Sequence, residues 1–199
     1  MTHATAVDTR AVLISAAFAC FRTQGLRKTT IVDIARAAEV SRSTFYEYFG
    51  DKEAIVEACA EAASQSFYRK LARAIERDGG NTLEQKLVRA GVFVAQARRL
   101  VEPELYFDQE LIDRMSTRSA VPILRDCSEF LAPYISAARR TGEVRSDLDI
   151  HSAAEWFARI LLSLFTTPSP YIDVSDDNAV AGFVRPYVVR GFVHDRHKR

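Results

Sequence analysis

Apolar positions recur along this chain at helical spacing, and the breaks between them divide it into about nine helices. The first apolar stripe is Ile14, Ala17, Phe18 and Phe21, which predicts a helix from about Thr9 to Gln24, with Gly25 as its stop. A short helix follows with Ile31, Ile34, Ala35 and Ala38 on one face. Thr30 and Asp33 offer a capping-box start. The pattern is interrupted at Glu39-Val40. Ser41 then caps a second short helix, Arg42 to Phe49, which Gly50 is expected to stop. Two short helices separated by about three residues fit a helix-turn-helix. Its small core is expected from Phe18, Phe21, Ile31, Ile34, Ala35, Val40, Phe45 and Phe49, leaning on the next helix for stability.

That next helix is capped by Asp51, reaches about Arg77 and carries Ile55, Cys59, Ala62, Ser66, Leu71 and Ile75 on one face. After Asp78-Gly79-Gly80-Asn81, Thr82 or Asn81 caps a helix to about Leu100. A short helix is predicted around Leu105 to Met115, and another from near Ser119 to Thr141-Gly142, kinked at Pro133. A loop over 142–149 leads to a helix from Ile150 to Thr166. The last helix, Asp177 to His194, is expected to bend or restart at Pro186. No strand pattern and no internal repeat competes, so the fold class is all-α.

Hydrophobic residues make up 48% of the 199, enough for a sizeable core. The net charge of +1 does not announce a nucleic-acid binder. Residues 1–52, however, hold seven basic and five acidic side chains, so the small positive excess lies there. Three separated cysteines, Cys20, Cys59 and Cys127, suggest buried thiols in a reducing compartment rather than a metal or redox site. No run is apolar and long enough for a membrane span, and no signal peptide precedes the first helix; a cytoplasmic protein is expected.

No catalytic set emerges. Paired Glu-x-x-His motifs, a nucleophile elbow, a phosphate loop and a dinucleotide fingerprint are all missing, and the four histidines lie near termini or loops. The expectation is therefore not an enzyme, with no metal and no cofactor. The second short helix points elsewhere. Its polar first turn, Arg42-Ser43-Thr44, can approach a groove and donate to base edges. Tyr46 and Tyr48 point more outward than Phe45 and Phe49 and offer hydroxyls to phosphates, and Lys52 offers a cation.

The stretch resembles the DNA-binding region of the tetracycline-repressor (TetR) family. The match runs from Leu13-Ile14, Ala16-Ala17, Phe21 and Gly25 through Thr29-Thr30, Ile34-Ala35, Ala38, Val40-Ser41, Thr44, Tyr46, Tyr48-Phe49, Lys52 and Glu53. One departure is Glu39, where the family usually has glycine; at positive φ it would cost roughly 1 kcal/mol. The resemblance implies a helix-turn-helix domain at 1–50 and a larger helical ligand-binding and dimerisation domain at 51–199. It implies a DNA interface of Thr29, Thr30, Arg42, Ser43, Thr44, Tyr46, Tyr48 and Lys52. It also implies a homodimer through residues about 150–194 on a palindromic double-stranded operator, and a repressor released by a small hydrophobic inducer. Aromatic candidates for that pocket are Phe67, Phe93, Phe107, Phe130, Tyr134, Trp156 and Phe157, with Gln96, Arg98, Gln109 and Arg159 as polar candidates. The alternative is a helical protein-interaction module that no longer depends on DNA.

Overall fold

The computed structural model describes residues 3–77, 79, 82–100 and 120–193. Among these residues there are eight helices: α1 (His3–Gln24), α2 (Ile31–Ala37), α3 (Arg42–Tyr48), α4 (Lys52–Glu76), α5 (Leu83–Leu100), α6 (Ala120–Arg140), α7 (Ile150–Thr166) and α8 (Asp177–Gly191). The helix predicted around Leu105 to Met115 lies outside the described residues. The chain divides into two compact units, the first running to Phe67 and the second taking over from Tyr68, so α4 contributes to both.

In the first unit α1, α2 and α3 enclose one apolar cluster. Leu13, Ala16, Ala17 and Cys20 enter it from α1, Ile34 and Ala35 from α2, Phe45 from α3, and Ile55, Ala58 and Cys59 from α4. The predicted ring of Phe18, Phe21, Ile31 and Val40 is only partly buried around that centre. The inner stripe of α1 is thus rotated from the predicted one: small residues let the helices approach, and the larger rings close the edges. The expected reliance on α4 is visible in the burial of Ile55, Ala58 and Cys59. Seven-residue helices are too short to persist alone, so their stability comes from this packing and from their caps.

The turn between α2 and α3 is a Schellman motif. Val40 N–H donates to the Ala35 carbonyl at 3.0 Å and Glu39 N–H to the Arg36 carbonyl at 3.1 Å. The motif requires a left-handed residue, and Glu39 fills that place with φ 56°. α3 ends differently from expectation: Phe49, in extended conformation with φ −137°, caps it, and Gly50 is not left-handed. Gly25, with φ 79°, does end α1.

In the second unit α5 packs against both α7 and α8, and α6 packs on α7. Fully buried Leu71, Ile75, Leu87, Leu131, Ile135 and Phe157 anchor this core. Gly91 of α5 allows α8 to come close, since a Cβ there would stand 3.0 Å from a Val184 methyl. Asp149 caps α7 through Ser152 N–H at 2.8 Å, and Asp176 caps α8 through Asn178 N–H at 2.9 Å. α6 runs through Pro133 and α8 through Pro186 without a restart, both rings being exposed. No helix among the described residues is long and apolar enough to cross a membrane.

Replacing the left-handed glutamate, Glu39→Gly, is expected to raise the unfolding free energy by about 1 kcal/mol. Urea unfolding should show a higher midpoint at unchanged slope.

Candidate nucleic-acid interface

The start of α2 is a closed capping box. Asp33 N–H donates to the Thr30 hydroxyl at 3.2 Å, while Thr30 N–H and Oγ1–H both donate to Asp33 Oδ2, at 3.0 and 2.6 Å. These bonds, the Thr30 hydroxyl first and its backbone amide second, hold the Asp33 carboxyl below its ordinary range. Thr30 remains exposed.

Thr29 does not belong to the surface set in which its sequence neighbourhood put it. It is 1% exposed, and its hydroxyl donates to the Gly25 carbonyl at 2.9 Å. The side chain turns inward because it closes the α1–α2 loop on the end of α1, so Thr29 is a structural residue rather than a surface contact.

The start of α3 is built on Ser41. Its hydroxyl accepts Thr44 N–H at 3.0 Å and lies 2.6 Å from the Ser43 hydroxyl and 2.9 Å from that of Thr44. Ser41 and Ser43 are exposed and Thr44 is half-buried. Arg42 is exposed and makes no hydrogen bond or ion pair among the described residues. Its five donors are therefore uncommitted at the tip of a polar turn. Tyr46 is 47% exposed, its ring edge-on to Phe45 at 5.7 Å. Tyr48 is half-buried and packs against the core of the first unit, so it points outward less than the spacing predicts. Lys52 is half-buried as well, and its ammonium donates to the Leu26 and Arg27 carbonyls at 2.7 and 3.3 Å.

Arg27, Lys28 and Arg36 of this unit are absent from the set that the sequence pattern singled out. Arg27 and Lys28 are exposed on the loop before α2. The Arg36 side chain is 76% exposed and only 3.9 Å from Asp33. Arg10 stands over the Phe49 ring at 5.3 Å. Two consecutive cations directly before the Thr29-Thr30 pair were the available signal.

The aromatic pocket candidates do not share one environment. Phe130 stacks between Tyr68, at 5.1 Å, and Tyr134, at 5.7 Å, and Lys86 lies 5.4 Å over the Tyr134 ring. Phe67 and Phe93 are half-buried, and Phe107 lies outside the described residues. Phe157 is wholly buried in the core, whereas Trp156, one residue earlier, is 40% exposed and meets Phe192 edge-on at 5.6 Å. The two rings nonetheless lie 6.4 Å apart. Trp156 thus sits at the rim of the core that Phe157 fills, between the Phe157 and Phe192 rings. Of the polar candidates, Gln96 donates to the Ser175 carbonyl at 3.0 Å and to Asp177 at 2.8 Å, which ties α5 to the start of α8. Arg159 pairs with Glu155 on the outer face of α7. The side chain of Arg98 and all of Gln109 lie outside what is described. A groove of about 910 Å³ runs along α6 and α7, lined by Leu124, Pro133 and Ile150 together with Arg125, Glu155 and the candidate Arg159.

Residues 13–59 match the model of the family described as bacterial regulatory proteins, tetR family. The chain is 29% identical over 164 residues to the probable HTH-type transcriptional regulator ArpR of Pseudomonas putida, covering 77% of this chain and 76% of that one. It is 28% identical over 158 residues to the probable acrEF/envCD operon repressor of Escherichia coli K12, covering 75% and 70%. A crystal structure of a TetR-family transcriptional regulator from Pectobacterium atrosepticum superposes with a TM-score of 0.68 at 23% identity, over 97% of this chain and 98% of that one.

The capping box makes a titration prediction. Because the Asp33 pKa is lowered on folding, its stabilising contribution is present above the ordinary value of 3.8 and is lost as pH falls through the folded value. An NMR titration of the Asp33 carboxyl should give a midpoint below 3.8, and Thr30→Val should move it back up.

Proposed function

We propose that this chain, which belongs to the TetR family of transcriptional regulators, reads a palindromic operator as a homodimer and is released from it by a small hydrophobic molecule. Ligand-responsive, DNA-binding regulation is the function of the chain. The observation that carries the DNA-reading part is the start of α3. It is an exposed polar turn held rigid by the Ser41 cap, with the uncommitted guanidinium of Arg42 at its tip. A bidentate arginine to a guanine edge is the strongest single contact such a turn can make. Ser43 and Thr44 set how closely the turn approaches. Thr30 and Tyr46 face phosphates, joined by Arg27, Lys28 and Arg36, and these set register without reading sequence.

One head of this size makes few base contacts. Two heads about 34 Å apart on one duplex double them, and linking them raises their effective concentration. The face that supports dimerisation is on α7 and α8, where Trp156, Phe183 and Tyr187 are 40%, 39% and 58% exposed. The Phe183 and Tyr187 rings stand 6.0 Å apart, and a contiguous exposed aromatic patch suits a protein interface. The Escherichia coli relative, named as an operon repressor, fits this reading. The inducer part rests on the apolar aromatic row Tyr68, Phe130 and Tyr134 in the second unit. A ligand acts there only to the extent that it prefers a geometry the operator does not. A division of labour between a DNA-binding domain at 1–50 and a ligand and dimer domain at 51–199, in the cytoplasm and without catalysis, completes the proposal.

Selection of bound duplexes from a random pool tests it, and palindromic enrichment is the expected result. Against the selected duplex, Arg42→Ala should lose about 1–3 kcal/mol of specific binding. Equal losses on selected and random DNA would reject base reading by this residue. Phe183→Glu, which places a charge on the aromatic face, should shift sedimentation from dimer to monomer and weaken operator binding with it.

A further inference from the structure

The loop between α1 and α2 leaves carbonyls that no helix satisfies. The Gly25 carbonyl is met twice, by Thr29 N–H at 3.2 Å and by the Thr29 hydroxyl at 2.9 Å. For the Leu26 and Arg27 carbonyls there is no backbone donor among the described residues. Both are met by one side chain, the ammonium of Lys52, at 2.7 and 3.3 Å. Lys52 is the first residue of α4, a turn fixed by Asp51, whose carboxylate accepts Ala54 N–H at 2.8 Å. Leu26, Arg27 and Lys28 are all exposed, so little packing holds the loop from outside. The loop leads straight into two anchoring residues: Thr29 enters the core, and Thr30 is the cap on which α2 starts.

We infer that Lys52 is a positioning residue, a clasp by which the first turn of α4 holds the α1–α2 loop and the start of α2 in the geometry that meets DNA. This rests on the DNA-reading function proposed above. It differs from the phosphate contact that the sequence suggested for Lys52. The ammonium donates to two carbonyls of the protein itself, in the loop that follows α1. The two carbonyls converge on one group that can donate to both, and the ammonium with its long stem does so. The clasp also gives the first turn of α4 a direct hold on the α1–α2 loop.

The test uses the full chain carrying Lys52→Met, which keeps the stem and removes the donors, and Lys52→Arg, which keeps a charged donor. Without DNA, the amides of Thr29, Thr30 and Asp33 in the Met variant should exchange about tenfold faster with solvent. The core amides of Ile34 and Phe45 should keep their rates. The Arg variant should restore slow exchange. On the duplex recovered from the random pool, the Met variant should bind about tenfold more weakly with an unchanged dependence on salt. Unchanged exchange in the Met variant would overturn the clasp. So would a salt slope reduced by about one with exchange unaltered, which is the signature of a lost phosphate contact. If no duplex is enriched at all, the DNA reading fails, and the exchange measurement still decides the clasp.

Discussion

The phenyl ring of Phe45 is wholly out of water, and the reading head depends on that burial. It sits 5.8 Å from the ring of Phe49 and among Ile34, Ala35, Ile55 and the small residues of α1. Helices of seven residues gain too few backbone bonds to offset the cost of nucleation. α2 and α3 therefore exist because their apolar faces are shared with longer neighbours. The same burial fixes the rotation of α3 about its axis, and so decides that Arg42 and Ser43 face outward. An aromatic side chain in the core thus determines which polar ones are available at the surface.

Local chemistry was easy to read in the chain. The Thr30–Asp33 box, the Ser41 cap, the Gly25 stop and the extent of α7 all arise from neighbours a few residues apart, and the structure has each of them. The misfit of Glu39 to its turn was legible from the family resemblance, which implies glycine at that position, and Glu39 does take φ 56°. The features that escaped depend on partners distant in sequence. Thr29 and Thr30 look alike as a pair, yet one is buried and the other exposed, which only the position of the loop over α1 decides. Lys52 looked like a free cation because its acceptors are backbone carbonyls, which have no signature in sequence. Gly50 looked like a stop, but an extended Phe49 already ends α3. Composition could not sort the aromatic residues either: the Trp156 and Phe157 rings lie 6.4 Å apart, yet one is 40% exposed and the other wholly buried.

In the second unit, charged and amide side chains secure the joints between helices. The Glu143 carboxylate, from the loop before α7, accepts Leu83 N–H and so caps α5 from 60 residues away. Gln96 binds the approach to α8, and Arg185 of α8 pairs with Glu84 of α5 at 2.9 Å. With Gly91 admitting Val184, these contacts hold α5 and α8 together at both ends and in the middle. Burial supplies most of the free energy, while the polar ties specify which helix meets which.

All three cysteines are buried and unpaired. Burial pushes the thiols of Cys59 and Cys127 up to about 12 and that of Cys20 upward as well. At neutral pH almost none of this sulfur is thiolate, the form that alkylating reagents attack. The native chain is therefore a quiet background for maleimide chemistry: a cysteine engineered onto an exposed site, such as the tip of α3, would take a fluorophore or spin label selectively, without first stripping out the natural ones.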